Sequence, residues 1–368
     1  MPTIFIDGNQ GTTGLRLRDR LEARTDLTLL TLPGEYRKSL LHRADMAQKA
    51  DIAFLCLPDE ASRELVETLG SGRAVPRAHS PSAGLGLPNQ DGRSASGEAS
   101  MNGGPARSGE KGVKGPSGVP GIVIDASTAH RVEPEFAYGF PELDEKFRRA
   151  IRNARRIAVP GCHASGAVAL LYPLLKERVL TPGAPISITS ITGYSGGGKA
   201  MIAQYEASGR DPCLALPRPY AVGQMHKHLA EITEICNLQK PPVFQPIVCD
   251  FYSGMLVSVP LAREWFSAVG AAGAHARGGV DFLTNLYRDH YAGQKLISVL
   301  APNREPFVNP RALAGLDGMQ LFVTGNDERM IAYARLDNLG KGASGAAIQC
   351  MNLRLGLPQE TGLVWETA

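Results

Sequence analysis

Residues 3–21, TIFIDGNQGTTGLRLRDRL, join a strand pattern, a glycine-rich loop and a helix pattern. The β-branched and aromatic residues 3–7 predict a strand, and the leucines of 15–21 repeat at helical intervals. A strand, a glycine loop and a helix in this order are typical of a dinucleotide-binding unit, in which the pyrophosphate lies on the helix N-terminus. The glycine spacing is G-x-x-G-x-x-G rather than the commoner G-x-G-x-x-G. The residues predicted to hold the pyrophosphate are Gly8, Gly11, Thr12, Thr13 and Gly14.

The second predicted strand, 27–32, ends without the acidic residue that grips the ribose 2′-hydroxyl of NAD. Arg37 and Lys38 follow it instead, and two cations at this place can pair with a 2′-phosphate. The pattern therefore favours NADP, although Glu35 leaves NAD open and an ordinary basic surface turn is the alternative.

Two more apolar strands, 51–58 and 121–125, extend the predicted parallel sheet. Pro58 ends the first and Ser127 follows the second, so both are expected to line the cofactor crevice at the carboxyl ends of the strands. Between them, residues 71–119 consist mostly of Gly, Ser, Pro, Ala, Asn and Arg. A segment with so few large apolar residues predicts a disordered or weakly ordered insertion.

Pro160-Gly161-Cys162 delivers a cysteine to the start of an apolar helix pattern. Such a position is expected to lower the pKa of the thiol, because the positive end of the helix dipole favours the thiolate. Ser165 is placed to cap this helix, and N–H groups of its first turn could hold a substrate oxyanion. The alternative is a small buried thiol beside a turn.

His226, His228 and Glu231 lie within six residues of one another and could supply a general base and the group that orients it. A metal site is the rival interpretation, but the region offers no further ligand set, and no metal is predicted. Upstream, residues 186–192 alternate as a half-buried antiparallel strand does and lead into the glycine loop 193–199, a candidate anion or cofactor loop.

The bulk composition is that of an ordinary globular enzyme. A length of 368 residues suits two domains, and 43% of the residues are hydrophobic and 20% charged. The net charge of +3 is small, and no basic stripe for nucleic acid is present. The six cysteines contain no Cys-x-x-Cys pair, so they are expected to be reduced thiols. No secretory leader and no apolar run of membrane length is visible, and the expected location is therefore the cytoplasm.

Seven stretches together resemble the N-acetyl-gamma-glutamyl-phosphate reductase family in its shorter form. They are, in order, Asp7–Gly14, Ile124–Arg131, Tyr138–Glu142, Pro160–Cys162, Tyr194–Lys199, His226–His228 and Asp337–Ala343. The chain departs from the family pattern in the 71–119 insertion and in Ala230, where relatives often have proline.

The resemblance implies an α/β protein: an NADP-binding Rossmann domain at 1–159, a glyceraldehyde-phosphate-dehydrogenase-like α+β catalytic and oligomerisation domain at 160–335, and a C-terminal helix at 336–368 that returns to the first domain. It implies a homodimer or homotetramer acting on a small acyl phosphate. Cys162 is then the nucleophile. The acid/base role falls to the His226/His228 pair, with His226 as the first candidate.

The same resemblance implies further contacts within the site. The N–H groups of Ser165 and Gly166 are expected to hold the oxyanion beside the cofactor, and four residues are expected near the nicotinamide: Gly197, Gly198, Asn338 and Lys341. Three alternatives stay open. These are an aspartate-type semialdehyde dehydrogenase, which lacks the His-Lys-His stretch, an aminoadipate-type one, and a non-enzymatic NADP sensor.

Overall fold

The computed structural model describes residues 1–70, 121–181, 183–266 and 279–365. The predicted insertion at 71–119 lies outside these residues. Within them, no helix is long and apolar enough to cross a membrane.

The first part of the chain forms a six-stranded parallel sheet with the strand order β2-β1-β3-β4-β6-β5. Its strands are β1 (Thr3–Asp7), β2 (Thr28–Leu30), β3 (Ile52–Leu55), β4 (Ile122–Asp125), β5 (Ala137–Tyr138) and β6 (Arg156–Ala158). Its helices are α1 (Thr12–Glu22), α2 (Leu40–Lys49), α3 (Asp59–Gly70) and α4 (Glu145–Asn153). The order changes direction at β1, so a crevice opens beside the loop that follows this strand.

The second part is a seven-stranded mixed sheet with the order β11-β12-β13-β10-β7-β9-β8. Its strands are β7 (Ser187–Gly193), β8 (Arg218–Pro219), β9 (Val243–Cys249), β10 (Met255–Ala262), β11 (Ile297–Val299), β12 (Met319–Gly325) and β13 (Arg329–Leu336). Its helices are α5 (Cys162–Lys176), α6 (Gly198–Glu206), α7 (His228–Ile235) and α8 (Val280–His290). β7 pairs antiparallel with β10, as predicted, but parallel with β9.

The long helix α5 packs against one face of the second sheet and fills its core. Every residue from His163 to Leu174 in this helix is buried, including Pro173. One face packs on alternate residues of β10 and β13, among them Val257 and Ala334, in one continuous apolar core. Burial of a helix on all sides fixes its position, so the residue at its N-terminus, Cys162, is fixed as well.

The last described helix packs on the first sheet. A π-helical turn (Gly340–Ser344) runs into α9 (Gly345–Arg354). Ala347, Ile348 and Met351 of α9 share an apolar core with Ile4 and Leu17 of the first sheet and its helix. Arg16 of α1 adds an ion pair to the buried Asp337 at 3.1 Å. Helix α9 and strand β1 therefore belong to one apolar core.

The turn after β1 needs glycine at position 8. Gly8 has φ +81°, and a Cβ there would lie 2.2 Å from the carbonyl oxygen of Cys56. We expect Gly8→Ala to lower the free energy of unfolding by about 3 kcal/mol, because both the left-handed backbone and the contact must be relieved. Urea unfolding measures this change.

Gly34→Ala is the matched control, since no atom lies within 4 Å of the Cβ position and φ is not positive. Its midpoint should stay close to that of the wild type. Equal midpoints for both variants would contradict this account of Gly8.

Candidate active site

A cleft of about 650 Å³ lies at the carboxyl ends of the parallel strands and reaches the second sheet. It joins residues that are far apart in sequence. The predicted site residues that line it are Gly11, Thr12, Thr13, Gly14, Pro58, Ser127, Cys162, Gly197, Gly198, His226, His228 and Asn338. Gly8, Arg37, Lys38, Ser165, Gly166 and Lys341 do not line it.

The glycine loop presents an open helix N-terminus to the cleft. α1 begins at Thr12, and its N-cap, Gly11, provides no side-chain cap. The Thr12 Oγ1 atom is buried and has no hydrogen-bond partner within the described residues. Gly8 lies outside the cleft wall, and its carbonyl accepts the Gly11 N–H at 2.9 Å. Gly8 thus shapes the loop, whereas Gly11 to Gly14 form its surface.

Cys162 is the first residue of α5 and is half-buried in the cleft wall. Burial raises the pKa of its thiol to about 11, while the Arg131 guanidinium and the backbone N–H of His163 favour the thiolate and offset part of this rise. The predicted net lowering of the thiol pKa is therefore wrong for the ligand-free protein. The electrostatic effect has the expected sign, but desolvation exceeds it.

The roles predicted for Ser165 and Gly166 are also wrong. α5 begins three residues before Ser165 with Gly161 as N-cap, and the Ser165 N–H already donates to the Gly161 carbonyl at 2.7 Å. Gly166 is buried against Val257, whose Cγ2 would lie 2.5 Å from an added Cβ. The first-turn N–H groups without an intrahelical partner belong instead to residues 162–164.

A buried carboxylate holds the turn at residues 160–162, the cysteine turn, in place. Glu231 Oε1 accepts the Gly161 N–H at 2.9 Å and the Tyr138 hydroxyl at 2.8 Å. Its Oε2 faces Arg131 Nη1 at 3.2 Å, and Arg131 also donates from Nε to the Val159 carbonyl. The sequence predicted Glu231 as a support for the histidines but missed Arg131 and Tyr138, although both lie in stretches that carried the resemblance.

The two histidines flank this turn, with ring centroids 4.6 Å apart. His226 is half-buried, and its Nδ1 accepts the backbone N–H of His228 at 3.1 Å. His228 is 6% exposed, and its Nε2 would lie 2.3 Å from a Cβ on Gly161. The His228 Nδ1 has no hydrogen-bond partner within the described residues.

Both imidazoles are neutral at pH 7. Burial lowers the pKa of His226 to about 4 and holds the pKa of His228 well below its usual value. With Nδ1 accepting, neutral His226 carries its proton on Nε2, whereas His228 keeps a ring nitrogen free to accept one. Within the described ranges, no three His, Cys, Asp or Glu side chains are grouped as a metal site.

The glycine loop at 193–199 is helical. Residues Tyr194–Gly197 form a 3-10 turn, and α6 starts at Gly198, which has φ +74°. Asn338 fixes this turn, because its amide donates to Ser195 Oγ at 2.9 Å and accepts the Gly254 N–H at 2.9 Å.

Lys341 lies outside the cleft wall, against its predicted place near the nicotinamide. Its Nζ donates to Glu142 at 2.6 Å and to Gln349 at 2.5 Å, and the residue is 2% exposed. A lysine this deeply buried must be paired, and its pair lies away from the cleft. The neighbouring Gly342 lines the cleft and is so close to Cys162 that an added Cβ would lie 2.8 Å from the Cys162 Cβ.

Arg37 and Lys38 are exposed and follow a 3-10 turn (Gly34–Tyr36) after β2. They lie outside the wall of the cleft. Their contact with a 2′-phosphate stays a prediction, as does the competing influence of Glu35.

Known proteins resemble this chain along almost all of its length. An N-acetyl-gamma-glutamyl-phosphate reductase of Sinorhizobium medicae (strain WSM419) is 39% identical over 361 residues, 96% of this chain and 99% of the relative. The protein of the same name from Brucella ovis is 38% identical over 362 residues, again 96% of this chain and 99% of the relative. This chain belongs to the N-acetyl-gamma-glutamyl-phosphate reductase family.

The family model described as "Semialdehyde dehydrogenase, dimerisation domain" matches residues 162–338. Among solved structures, aspartate semialdehyde dehydrogenase II from Vibrio cholerae has a TM-score of 0.62 at 15% identity, covering 97% of this chain and 99% of that one. Aspartate semialdehyde dehydrogenase with NADP from Candida albicans has a TM-score of 0.57 at 15% identity, covering 96% and 98%. These likenesses confirm the predicted fold class.

The raised pKa of Cys162 predicts how the reactivity of its thiol in the free protein depends on pH. A thiol with a pKa of about 11 is almost wholly protonated at pH 7. We expect its alkylation rate by iodoacetamide to rise about tenfold per pH unit through pH 8–10, since only the thiolate reacts.

Mass spectrometry of the peptide that carries Cys162 gives this rate, and Cys162→Ala removes the signal. A rate that levels off below about pH 8 would contradict the dominance of burial over Arg131 and the helix N-terminus.

Proposed function

We propose that this protein reduces N-acetyl-gamma-glutamyl phosphate to N-acetyl-glutamate semialdehyde with NADPH, through a thioester on Cys162, as a step of arginine biosynthesis in the cytoplasm. The observation that carries the proposal is the position of Cys162. It begins a helix that is buried from His163 to Leu174, and it lines the same cleft as the open N-terminus of α1. A nucleophile and a dinucleotide loop in one cavity serve a reaction that needs both covalent and redox chemistry.

The division of labour follows the cleft. We assign nucleotide binding to residues 1–159 with the returning segment 336–368, and the acyl chemistry and oligomerisation to 160–335. The cleft lies between the two groups of elements, so its opposite walls carry the cofactor loop and the cysteine.

The glycine loop fits a dinucleotide. The orphaned Thr12 Oγ1 and the uncapped first turn of α1 provide hydrogen-bond donors for a pyrophosphate, and Gly14 leaves no room for a side chain, with the Gly8 carbonyl oxygen 2.3 Å from an added Cβ. Thr12, Thr13 and the N–H group of Gly14 would hold the phosphates, since the Gly11 N–H already donates to the Gly8 carbonyl. Gly197, Gly198 and Asn338 border the same cleft on the side of Cys162.

The first chemical step needs a base for the Cys162 thiol. We assign this role to His228 rather than His226, because the Nδ1 of His226 already accepts a backbone N–H while the Nδ1 of His228 has no hydrogen-bond partner within the described residues. As substrate displaces water, the thiol proton passes to His228 and the thiolate attacks the acyl carbon. The bond from carbon to the phosphate oxygen breaks, inorganic phosphate leaves and a thioester remains.

The second step converts the thioester to an aldehyde. NADPH, when bound, supplies the hydride. The N–H groups of Cys162 and His163 and the Nε2–H of His226 stabilise the negative charge on the substrate oxygen, and the proton held by His228 neutralises it. The thiohemiacetal then returns that proton to His228, its carbon–sulfur bond breaks, and the thiolate takes the proton back.

A second copy of the chain is the proposed partner. Pro260 of β10 and Ile331 and Tyr333 of β13 point away from α5 and are half-buried in the single chain. These side chains on two adjacent strands present a partly apolar surface. The match of 162–338 to a dimerisation-domain family supports a homodimer, or a homotetramer built from it, through this face.

The reverse reaction tests the covalent mechanism. We expect wild-type protein to oxidise N-acetyl-glutamate semialdehyde with NADP and phosphate, and Cys162→Ala to lose at least about 10⁴-fold in kcat, because no thioester can form. Cys213→Ala is the matched control, since Cys213 is exposed and lies outside the cleft wall. Absorbance of NADPH reports the rate, and arsenate can replace phosphate.

Activity that survives Cys162→Ala would overturn the cysteine mechanism. Greater activity with aspartate semialdehyde would favour the semialdehyde dehydrogenase alternative. NADP binding without activity on any semialdehyde would favour the sensor.

Cofactor preference tests the basic pair after β2. We expect the double variant Arg37→Ala/Lys38→Ala to raise KM for NADP by about 10-fold to 100-fold and to leave KM for NAD within about twofold, since only NADP carries the 2′-phosphate. Steady-state kinetics with both cofactors measure this, with Lys49→Ala, a surface lysine paired to Asp45, as the control. Parallel changes for both cofactors would contradict the assignment.

A further inference from the structure

The mechanism above leaves one buried histidine beside the nucleophile without a role for its side chain. His163 follows Cys162 directly and is 2% exposed. Its Nδ1 lies 2.6 Å from the Oγ of Ser190 on β7, and its Nε2 lies 2.7 Å from the hydroxyl of Tyr220. Tyr220 lines the cleft, whereas Ser190 is fully buried. The three side chains form a chain of hydrogen bonds from the core to the cleft.

The direction of these hydrogen bonds is determined at the buried end. Within the described residues, His163 Nδ1 is the only acceptor within reach of the Ser190 hydroxyl. The Ser190 O–H therefore donates to Nδ1, since a buried hydroxyl proton without an acceptor would cost about 1–3 kcal/mol. Burial lowers the pKa of His163 to about 3, so the ring holds a single proton near pH 7. That proton is then on Nε2.

The direction of these hydrogen bonds also determines where the hydroxyl proton of Tyr220 points. His163 Nε2–H donates to the Tyr220 oxygen, so the Tyr220 proton cannot point back at the histidine. No second acceptor for this proton lies within hydrogen-bond distance among the described residues. The remaining direction is the cleft, where the ring of Tyr220 stands 5.9 Å from the ring of His226.

We propose that Ser190 and His163 hold Tyr220 as an obligate hydrogen-bond donor to an acceptor oxygen at the reacting end of the substrate, the acyl or a phosphoryl oxygen of an acyl phosphate. Ser190 and His163 are positioning residues, and Tyr220 is the residue that touches the substrate. The assignment of the reacting end follows from the attachment of Tyr220 to the residue next to Cys162, and it rests on the proposed function.

The direction of these hydrogen bonds can be measured without an activity assay. Nitrogen-15 spectra of histidine-labelled protein distinguish a protonated from an unprotonated ring nitrogen, and His163→Gln identifies the signals. We expect His163 to carry its proton on Nε2 from pH 6 to 9. A proton on Nδ1, or a doubly protonated ring in this range, would overturn the proposal.

Kinetics test the donor itself. We expect Tyr220→Phe to lower kcat/KM for the acyl phosphate by about 10-fold to 100-fold, with KM for NADPH within about twofold. Tyr252→Phe makes the same change outside the cleft wall and should have no effect. In the reverse direction, a raised KM for phosphate indicates the phosphoryl oxygen, and a lowered kcat at saturating phosphate indicates the acyl oxygen. An unchanged kcat/KM for Tyr220→Phe would overturn the proposal.

A double-mutant cycle separates this role from simple packing. Ser190→Ala releases the constraint on His163, and we expect it to lower kcat/KM in the wild-type background but not further in Tyr220→Phe. Losses that multiply would mean that Ser190 acts independently of Tyr220, against the proposal. A wild-type protein without activity on the acyl phosphate would refute the proposed function instead, and the tautomer of His163 would still decide the direction of the Tyr220 proton.

Discussion

The carboxylate of Glu231 is the point at which the elements of the site are joined. It is 1% exposed and bonds the N–H of Gly161, the hydroxyl of Tyr138 and the guanidinium of Arg131. These partners belong to the cysteine turn, to β5 and to the loop after β4, while Glu231 itself lies on α7 together with His228. Removing one partner of a buried ion pair is strongly destabilising, because it leaves an uncompensated buried charge. The positions of cysteine and histidine are therefore coupled through one residue.

Burial also sets the chemistry of the cleft before substrate arrives. The thiol of Cys162 has a raised pKa, and the pKa values of three histidines, at 163, 226 and 228, are lowered. All four groups are neutral at pH 7, so the free site holds little reactive thiolate. Arg131 and the N–H groups at the start of α5 favour negative charge at the sulfur. A substrate that brings charge and excludes water can thus shift the equilibrium between the thiol and the thiolate of Cys162.

Much of the fold followed from local patterns because its strands and helices have clear periods. The strand at 3–7 was predicted with its observed bounds, and a glycine loop after it and a helix starting near Cys162 were predicted where the structure has them. The errors lie where side chains of distant elements meet. Ser165 was predicted as a cap, but Gly161 is the N-cap of α5. Lys341 was predicted near the nicotinamide, but its partner Glu142 is 199 residues away in sequence. Tyr220 and Arg131 were missed because a tyrosine or an arginine carries no periodic signal of its own.

From the sequence alone one can predict a glycine-rich loop between the first strand and the first helix, a helix that begins near Cys162 and two histidines that lie close together. Each of these features is local, since it depends on residues within a turn or two of each other. Folding adds what the sequence does not show: the hydrogen-bond partners of the histidines, the desolvation of Cys162 and the contact between Tyr220 and His163. Those properties depend on burial and on hydrogen-bond partners from other strands and helices, and the chain brings these together only when it folds.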